Sequence, residues 1–583
     1  MSPHSRWSLT PLFIALVATL LISTSPALGQ STNWQIGAQF TVTAEPLVPR
    51  PHGEPCVVPL FANYQFAFFS ETNQTFQFTP PGNCTGPWEK VVFEMDVSEN
   101  GGVQFDRTAS LYLANANLYF GTTPEPLATL TNTWHVERDI TDYSALLATP
   151  QQGTMVLQNC TTDCPPPYNT FLNGVFTVSA DLEFYPAERG HDGKPSGKDD
   201  RGDDHGQRRP DQVLPLLQSN GSGGVNLPAT LGSPTDQLST TFTLPTNTER
   251  AYLDVISQSQ SADEQWYACF PNDLSNINDL FGCGNTDFRE SEITIDGQPA
   301  GIAPVSPWVF TGFLPDQWVP IPGAQTLEFV PYRVDITPFA SVLSNGQPHT
   351  VGLSVFNDYG YFSATASLLL FLDSGSTQIT GAVTKNTLAA PSPVVTENLQ
   401  GTSTVTGTIA VTSDRNYTIA GYVNTSHGKV STAITQHQNF SSTQTIDFDN
   451  VNFTVLDQNT SLDNSVDTKT TVSSDEGTVV TRDNFSFPIT LDVVYPVSSS
   501  PFGLTVATTQ KYHTSNQVAL DGYVVHSAST TNSVSASDVS PASSSQTYTF
   551  SDSDGGSYSC HIATANNRLT SVSRGCKPDR DER

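Results

Sequence analysis

Short runs in which apolar and polar residues alternate, closed by Pro- and Gly-rich turns, recur along this chain and restrict it to β structure. In Val91–Val97 the two-residue period puts Glu94 and Asp96 on one face and Phe93, Met95 and Val97 on the other. Val175–Phe184, Glu292–Ile295, Thr326–Val330 and Val351–Phe356 read as further strands, with Pro80-Pro81-Gly82, Asn173-Gly174 and Asp296-Gly297 as turns. Long amphipathic helices are hard to place in a chain so rich in Thr, Ser, Val, Gly and Pro. The fold class expected is all-β.

A chain of 583 residues is too long for one core. Residues 1–29 resemble a signal peptide: Arg6, the apolar run Leu12–Ile22, then the small-x-small pattern Ala27-Leu28-Gly29. Residues 30–187 are expected to form an N-terminal β-sandwich and 212–373 a second one. Between them, 188–211 is mostly Gly, Asp, Lys, Arg and His and is expected to be a flexible linker. Its Arg208-Arg209 pair is either a processing site, hindered by Pro210, or a plain solvated loop. Asp139–Leu147 and Asp335–Leu343 share a phrase, each followed by a strand, so one topology is expected to occur twice. Asp139 and Asp335 are read first as caps of a helical turn. Residues 374–583, rich in Ser and Thr, are expected to be a glycosylated accessory β domain, with Ser527–Ser545 a flexible low-complexity stretch.

The charge balance, 56 acidic against 25 basic residues for a net −31, argues against nucleic acid or an anionic membrane as partner. No later apolar run is long enough for a membrane anchor. Eight cysteines fall into sequence-close pairs, Cys56 with Cys84, Cys160 with Cys164, Cys269 with Cys283 and Cys560 with Cys576, which favours disulfides and an oxidising compartment. Sequons stand at Asn73, Asn83, Asn159, Asn220, Asn416, Asn424, Asn439, Asn452, Asn459 and Asn484. Together these features predict a secreted protein, or one delivered to an acidic vacuole. No cofactor is called for, and no cysteine–histidine set has zinc spacing.

Gly-x-Ser-x-Gly, the phosphate loop and the dinucleotide glycine pattern are absent. What remains is acids beside aromatics, as in Asp263-Glu264-Gln265-Trp266-Tyr267, a combination that suits carbohydrate. The plain alternative is a solvated acidic strand edge.

Several phrases are more specific. Pro80-Pro81-x-Asn83-Cys84-x-x-Pro87-Trp88, Gln104-Phe105-Asp106-Arg107, Thr123-x-Glu125-Pro126, Trp134-x-Val136-Glu137-x-Asp139-Ile140-Thr141 and Phe184-Tyr185-Pro186 occur in order. Asp263-Glu264-x-Trp266-Tyr267, Arg289-Glu290, Pro315-x-x-Trp318-x-Pro320 and Asp335-Ile336-Thr337-Pro338-Phe339 follow. Over roughly 45–373 the chain resembles the peptide:N-glycosidase A family. A weaker resemblance, through Phe105-Asp106-Arg107-Thr108-Ala109 and Glu264-Gln265-Trp266, reaches the bacterial peptide:N-glycosidase F enzymes. That likeness implies two side-by-side jelly-roll-like sandwiches, with Asp106 and Glu264 meeting between them.

The family likeness implies an acid-tolerant amidase that cleaves between the first N-acetylglucosamine and the Asn side chain, leaving Asp. Asp106 is the expected base and Glu264 the acid or orienting carboxylate. Arg107 is expected at the oxyanion or glycan, with Glu137, Trp266, Arg289 and Trp318 gripping the sugar. Without the likeness, Asp106-Arg107 reads first as a structural salt bridge at a strand end, since adjacent Asp and Arg are common. The expected partners are N-glycosylated peptides or unfolded glycoproteins, since an active enzyme must spare its own folded glycans. A glycoside hydrolase and a non-catalytic glycan-binding or wall-associated protein remain as alternatives.

Overall fold

The computed structural model describes residues 41–100, 102–125, 131–187, 208–217, 227–275, 283–309, 314, 320–449, 451, 454–498, 503–538, 540–553 and 555–576. The signal-like segment 1–29 and most of the linker, 188–207, lie outside them, as do Trp318, Asn220 and Asn452. Among the described residues the protein is all-β, with only short helical turns.

The N-terminal part carries β1 (Cys56–Phe66), β2 (Asn73–Phe78), β3 (Trp88–Glu99), β4 (Thr108–Leu113), β5 (Ala116–Thr122), β6 (Asn132–Asp139), β7 (Gln151–Leu157) and β8 (Phe176–Pro186). They pair as β1-β8-β3-β6 and β2-β7-β4-β5. Alternation decides the faces: Val91, Phe93, Met95 and Val97 are buried, while Asp96 is exposed and Glu94 half-buried. Inward side chains of both sheets, among them Phe93, Val136, Phe184, Leu111 and Met155, share one core. Except for β4 and β5, paired strands are non-consecutive, so loops cross the ends of both sheets.

The second part carries β9 (Gln212–Pro215), β10 (Ala229–Leu231), β11 (Leu238–Thr243), β12 (Thr248–Gln260), β13 (Glu290–Ile295), β14 (Gln298–Pro304), β15 (Tyr332–Asp335), β16 (Pro348–Phe356) and β17 (Tyr361–Leu372). One sheet runs β10-β17-β12-β15 with β9 also on β17, and the other runs β11-β16-β13-β14. The shared phrase does the same work in both sandwiches: each Asp ends a strand and each Thr starts a helical turn. Asp139 Oδ1 accepts the Thr141 N–H at 3.0 Å, and Asp335 Oδ1 the Thr337 N–H at 2.9 Å.

The two sandwiches touch along β5. Thr122 N donates to Thr326 O at 2.9 Å and Phe329 N to Phe120 O at 2.7 Å, while the rings of Phe120, Phe329 and Trp308 pack together. Beyond them, twelve strands among the described residues between Thr380 and Val572 form one antiparallel sheet. Its inner face packs on the second sandwich through Phe440 against Trp266 and Phe288, and Phe448 against Phe270. Ser527–Ser545, expected to be flexible, falls instead largely in the paired strands Tyr523–Ser537 and Ser540–Asp552. The reason is on the inner face, where Val534, Ala536 and Ala542 are buried and anchor an otherwise polar run.

Candidate functional site

Asp106 and Arg107 directly precede β4. The end of β5 holds them there: Arg107 N donates to Thr123 Oγ1 at 2.8 Å, and Thr123 N donates back to Arg107 O at 2.9 Å. Two residues on, Glu125 Oε1 accepts the Asp106 N–H at 3.3 Å, and the two carboxyl groups are also hydrogen-bonded to each other. Burial pushes Asp106 up to about 6, and pushes Glu125 well above its usual range, helped by the Asp106 charge. Glu125 is therefore the protonated donor and Asp106 the ionised acceptor near neutral pH. Glu99, at the end of β3, is fully buried, and neither of its carboxyl oxygens has a hydrogen-bond partner. Burial, then the charge of Glu125, raises it well above the ordinary value.

Arg107 lies among these acids. One guanidinium nitrogen donates to Gln104 Oε1 at 2.7 Å, while Nε is buried without a hydrogen-bond partner. Such an unsatisfied charged donor is costly unless an acceptor reaches it. Gln104 in turn donates to Cys160 O at 3.0 Å, so the Cys160–Cys164 disulfide frames the site. The Arg107 guanidinium lies 5.7 Å from the half-buried Phe105 ring, which meets Tyr168 edge-on at 5.8 Å, and Tyr168 meets Phe171 edge-on at 5.9 Å.

Glu264 reaches the same place from the second sandwich. It follows β12 in a tight turn whose Ser261 has a φ of 57°, and Glu264 N donates to Ser261 O at 3.1 Å. The neighbouring Asp263 holds this turn by accepting from Arg289 Nε at 3.1 Å and from the N–H groups of Tyr359 and Gly360 at 2.7 Å each. Burial pushes Glu264 up to about 8, and the charge of Asp106 adds to it. Beside them, Gln260 Nε2 donates to Thr108 Oγ1 at 3.1 Å, a bond that joins β12 to β4 across the junction. Two carboxyl groups from separate sandwiches, a buried cation with a free donor and a set of half-buried rings thus share one place.

The profile of peptide N-acetyl-beta-D-glucosaminyl asparaginase amidase A matches residues 46–387, more than half of the chain and both sandwiches. The chain belongs to this amidase A family. It is 27% identical over 437 residues to peptide-N4-(N-acetyl-beta-glucosaminyl)asparagine amidase A of Prunus dulcis, covering 73% of this chain and 72% of that one. Among solved structures it is similar to PNGase F, a glycosylasparaginase from Flavobacterium meningosepticum, with 15% identity, a TM-score of 0.35, and 55% of this chain and 97% of that chain covered. A structure of PNGF-II is similar to the same degree, at 14% identity and a TM-score of 0.36, over 55% of this chain and 65% of that one.

Within this amidase A chain, other expected site residues stand elsewhere. Trp266 is fully buried against Tyr267 and Phe440, because the C-terminal sheet covers it, and it offers no face to a sugar. Arg289 is also fully buried, paired with Asp263 at 2.8 Å and donating to Thr286 O and Gly284 O, so it shapes the Glu264 turn. Glu137 lies on the outer face of β6 with Glu94, His135 and Glu183, and Arg50 pairs with all three glutamates. Three cysteine pairs are bridged as expected, but Cys56 and Cys84 stand as free thiols in hydrogen-bond contact. Asn159 is a sequon in letters only: its buried Nδ2 donates to Phe66 O at 2.9 Å and Gly174 O at 3.1 Å, leaving no room for a glycan. Asn73, Asn83, Asn416, Asn424, Asn439 and Asn459 are exposed, and Asn484 is half-buried. Glu99, Gln104, Glu125 and Tyr168 went without a role in the sequence reading, although Gln104 and Glu125 stand inside the phrases that carry the family resemblance.

Proposed function

We propose that this chain hydrolyses the amide between the first N-acetylglucosamine and the asparagine of N-glycopeptides or unfolded glycoproteins, turning Asn into Asp. The observation that carries it is the meeting of Asp106 and Glu264 from two sandwiches beside the unsatisfied Arg107 Nε. An amide is a poor electrophile, and its leaving amine needs a proton. Asp106, ionised above about 6 and held by Glu125, takes a proton from water as that water attacks the amide carbon. Arg107 Nε donates to the developing oxyanion. Glu264, protonated below about 8, gives its proton to the departing glycosylamine as the C–N bond breaks. Phe105, Tyr168 and Phe171 offer aromatic surface for the chitobiose rings, the part first assigned to Trp266. No cofactor enters the reaction.

Bridged cysteines and exposed sequons favour an oxidising secretory route, to the cell exterior or an acidic vacuole. The test is mass spectrometry of one N-glycopeptide after incubation with the wild type and with Asp106→Asn. The expected result is Asp at the former glycan site, formed at least ~10²-fold more slowly by the variant. An Asn retaining one sugar would make the protein a glycosidase, and undiminished turnover by Asp106→Asn would remove that residue as base.

A further inference from the structure

Away from the Asp106–Glu264 site, Glu249, Asp373 and His427 converge from three parts of the chain. One ligand atom from each lies within 4.8 Å of the other two. We propose that they bind a divalent transition-metal ion of the zinc class, which fastens the C-terminal sheet to the second sandwich. Glu249 lies at the start of β12 and Asp373 directly after β17, two strand ends that Thr248 and Leu372 hold in register. His427 belongs to the two-residue Ser426–His427 turn between the long strands Thr404–Thr425 and Gly428–Asp449.

Both carboxylates are already oriented as ligands are by their outer partners. Asp373 accepts from Ser426 Oγ and Ser426 N at 2.6 Å each and from Gly375 N at 2.9 Å, which draws the turn carrying His427 inward. Arg208 pairs with Oε1 of Glu249, leaving Oε2 turned toward His427. Glu249 is only 5% exposed, and that Oε2 has no hydrogen-bond partner, with His427 Nε2 3.6 Å away. A buried carboxylate oxygen without a donor is expensive, and a cation between it and the imidazole relieves the cost.

The donor set selects the ion. One imidazole nitrogen with two carboxylates suits zinc and its neighbours better than the all-oxygen preference of calcium or magnesium. Asp211, 3.3 Å from Arg208, offsets that guanidinium, so Glu249 and Asp373 keep two formal negative charges to match a dication. The side chain of His427 is 43% exposed, which leaves an entry path and space for a water ligand. Glu94, His135 and Glu137 form a comparable triad, but there Arg50 already pairs with both glutamates and fills the cation's role.

The experiment titrates Zn²⁺ into the chelator-stripped full-length protein by calorimetry and follows thermal unfolding in parallel. Wild type and the control His135→Ala are expected to bind one ion per chain and to melt a few degrees higher with zinc, about what ligand linkage gives at saturating ion. His427→Ala, a change at an exposed turn that leaves the fold intact, should bind at least ~10-fold more weakly and lose the thermal shift. Equal binding by His427→Ala, or no binding by the wild type, would overturn the proposal.

Discussion

Asp106 and Glu264 are both displaced upward by burial, to about 6 and about 8, and the gap between them has a kinetic consequence. With Asp106 as base and Glu264 as acid, kcat/KM should rise as pH climbs through about 6 and fall through about 8. Glu264→Gln should lower the rate ~10²-fold and abolish the alkaline limb while the acid limb stays. An alkaline limb that survives in that variant would place the proton donor on another residue. This window lies nearer neutrality than the acid-tolerant activity that the family likeness implies, because burial raises both groups. Asp106 and Glu264 were legible in sequence only through their family phrases; adjacent letters could not say that Trp266 and Arg289 turn inward. Their burial depends on the C-terminal sheet and on Asp263, contacts made across long sequence separations. Glu125 was hidden for a related reason, since only the pairing of β4 with β5 brings it onto Asp106.

At the scale of elements, the proposed Asp106–Glu264 arrangement rests on how closely β5 approaches the 320–331 segment of the second sandwich. Gly121 permits that approach: a Cβ there would run into the Leu327 carbonyl and the Tyr119 hydroxyl. Gly121→Ala should therefore cost at least ~1–3 kcal/mol of stability by overpacking, and lower kcat more than it raises KM as Asp106 and Glu264 move apart. Thermal melts with steady-state kinetics check this, and a variant with native stability and native kcat would show that the junction does not set the site. Most individual strands were legible, but Thr326–Val330, expected as a strand, is an irregular segment that hydrogen-bonds to β5 instead, since its partner lies in the other sandwich. Alternation in Val91–Val97 and the doubled Asp-Ile-Thr phrase correspond to β3 and to the two helical turns, because each depends on local periodicity and a local hydrogen bond. Ser527–Ser545 was not legible as strand, since so few of its residues are apolar and their partner surface lies elsewhere in the chain. The free Cys56 and Cys84 show the converse limit: spacing brought them together as a pair, but the covalent state is a matter of local geometry and redox conditions.

For the whole molecule, the dominant titration feature is a set of carboxyl groups that burial holds protonated far above their ordinary range. Asp106, Asp287 and Asp335 rise to about 6, Glu328 and Asp358 to about 7, and Glu264 and Glu290 to about 8. In the unfolded chain the same groups release their protons near 4. Between those limits the folded state binds more protons than the unfolded one, so stability is fully present below about 4 and drains away as pH rises through 6 to 8. Four carboxylates among the described residues, Glu137, Asp139, Asp296 and Asp373, act in the opposite sense. Hydrogen bonds from His135 and Arg50 outweigh burial at Glu137, and those from Ser426 and Gly375 do so at Asp373, bringing both carboxylates down to about 2. Their contribution is present above about 4 and is lost as pH falls toward 2. The net charge of −31 at pH 7 adds self-repulsion on the alkaline side of the same range. The melting temperature should accordingly peak at about pH 4–5 and fall steadily toward pH 8, which thermal melts at closely spaced pH values and constant ionic strength would read directly. A melting temperature level or rising from pH 5 to 8 would mean that these carboxyl groups ionise inside the fold at little cost. The slope expected instead ties stability in mild acid to the same burial that raises Asp106 and Glu264.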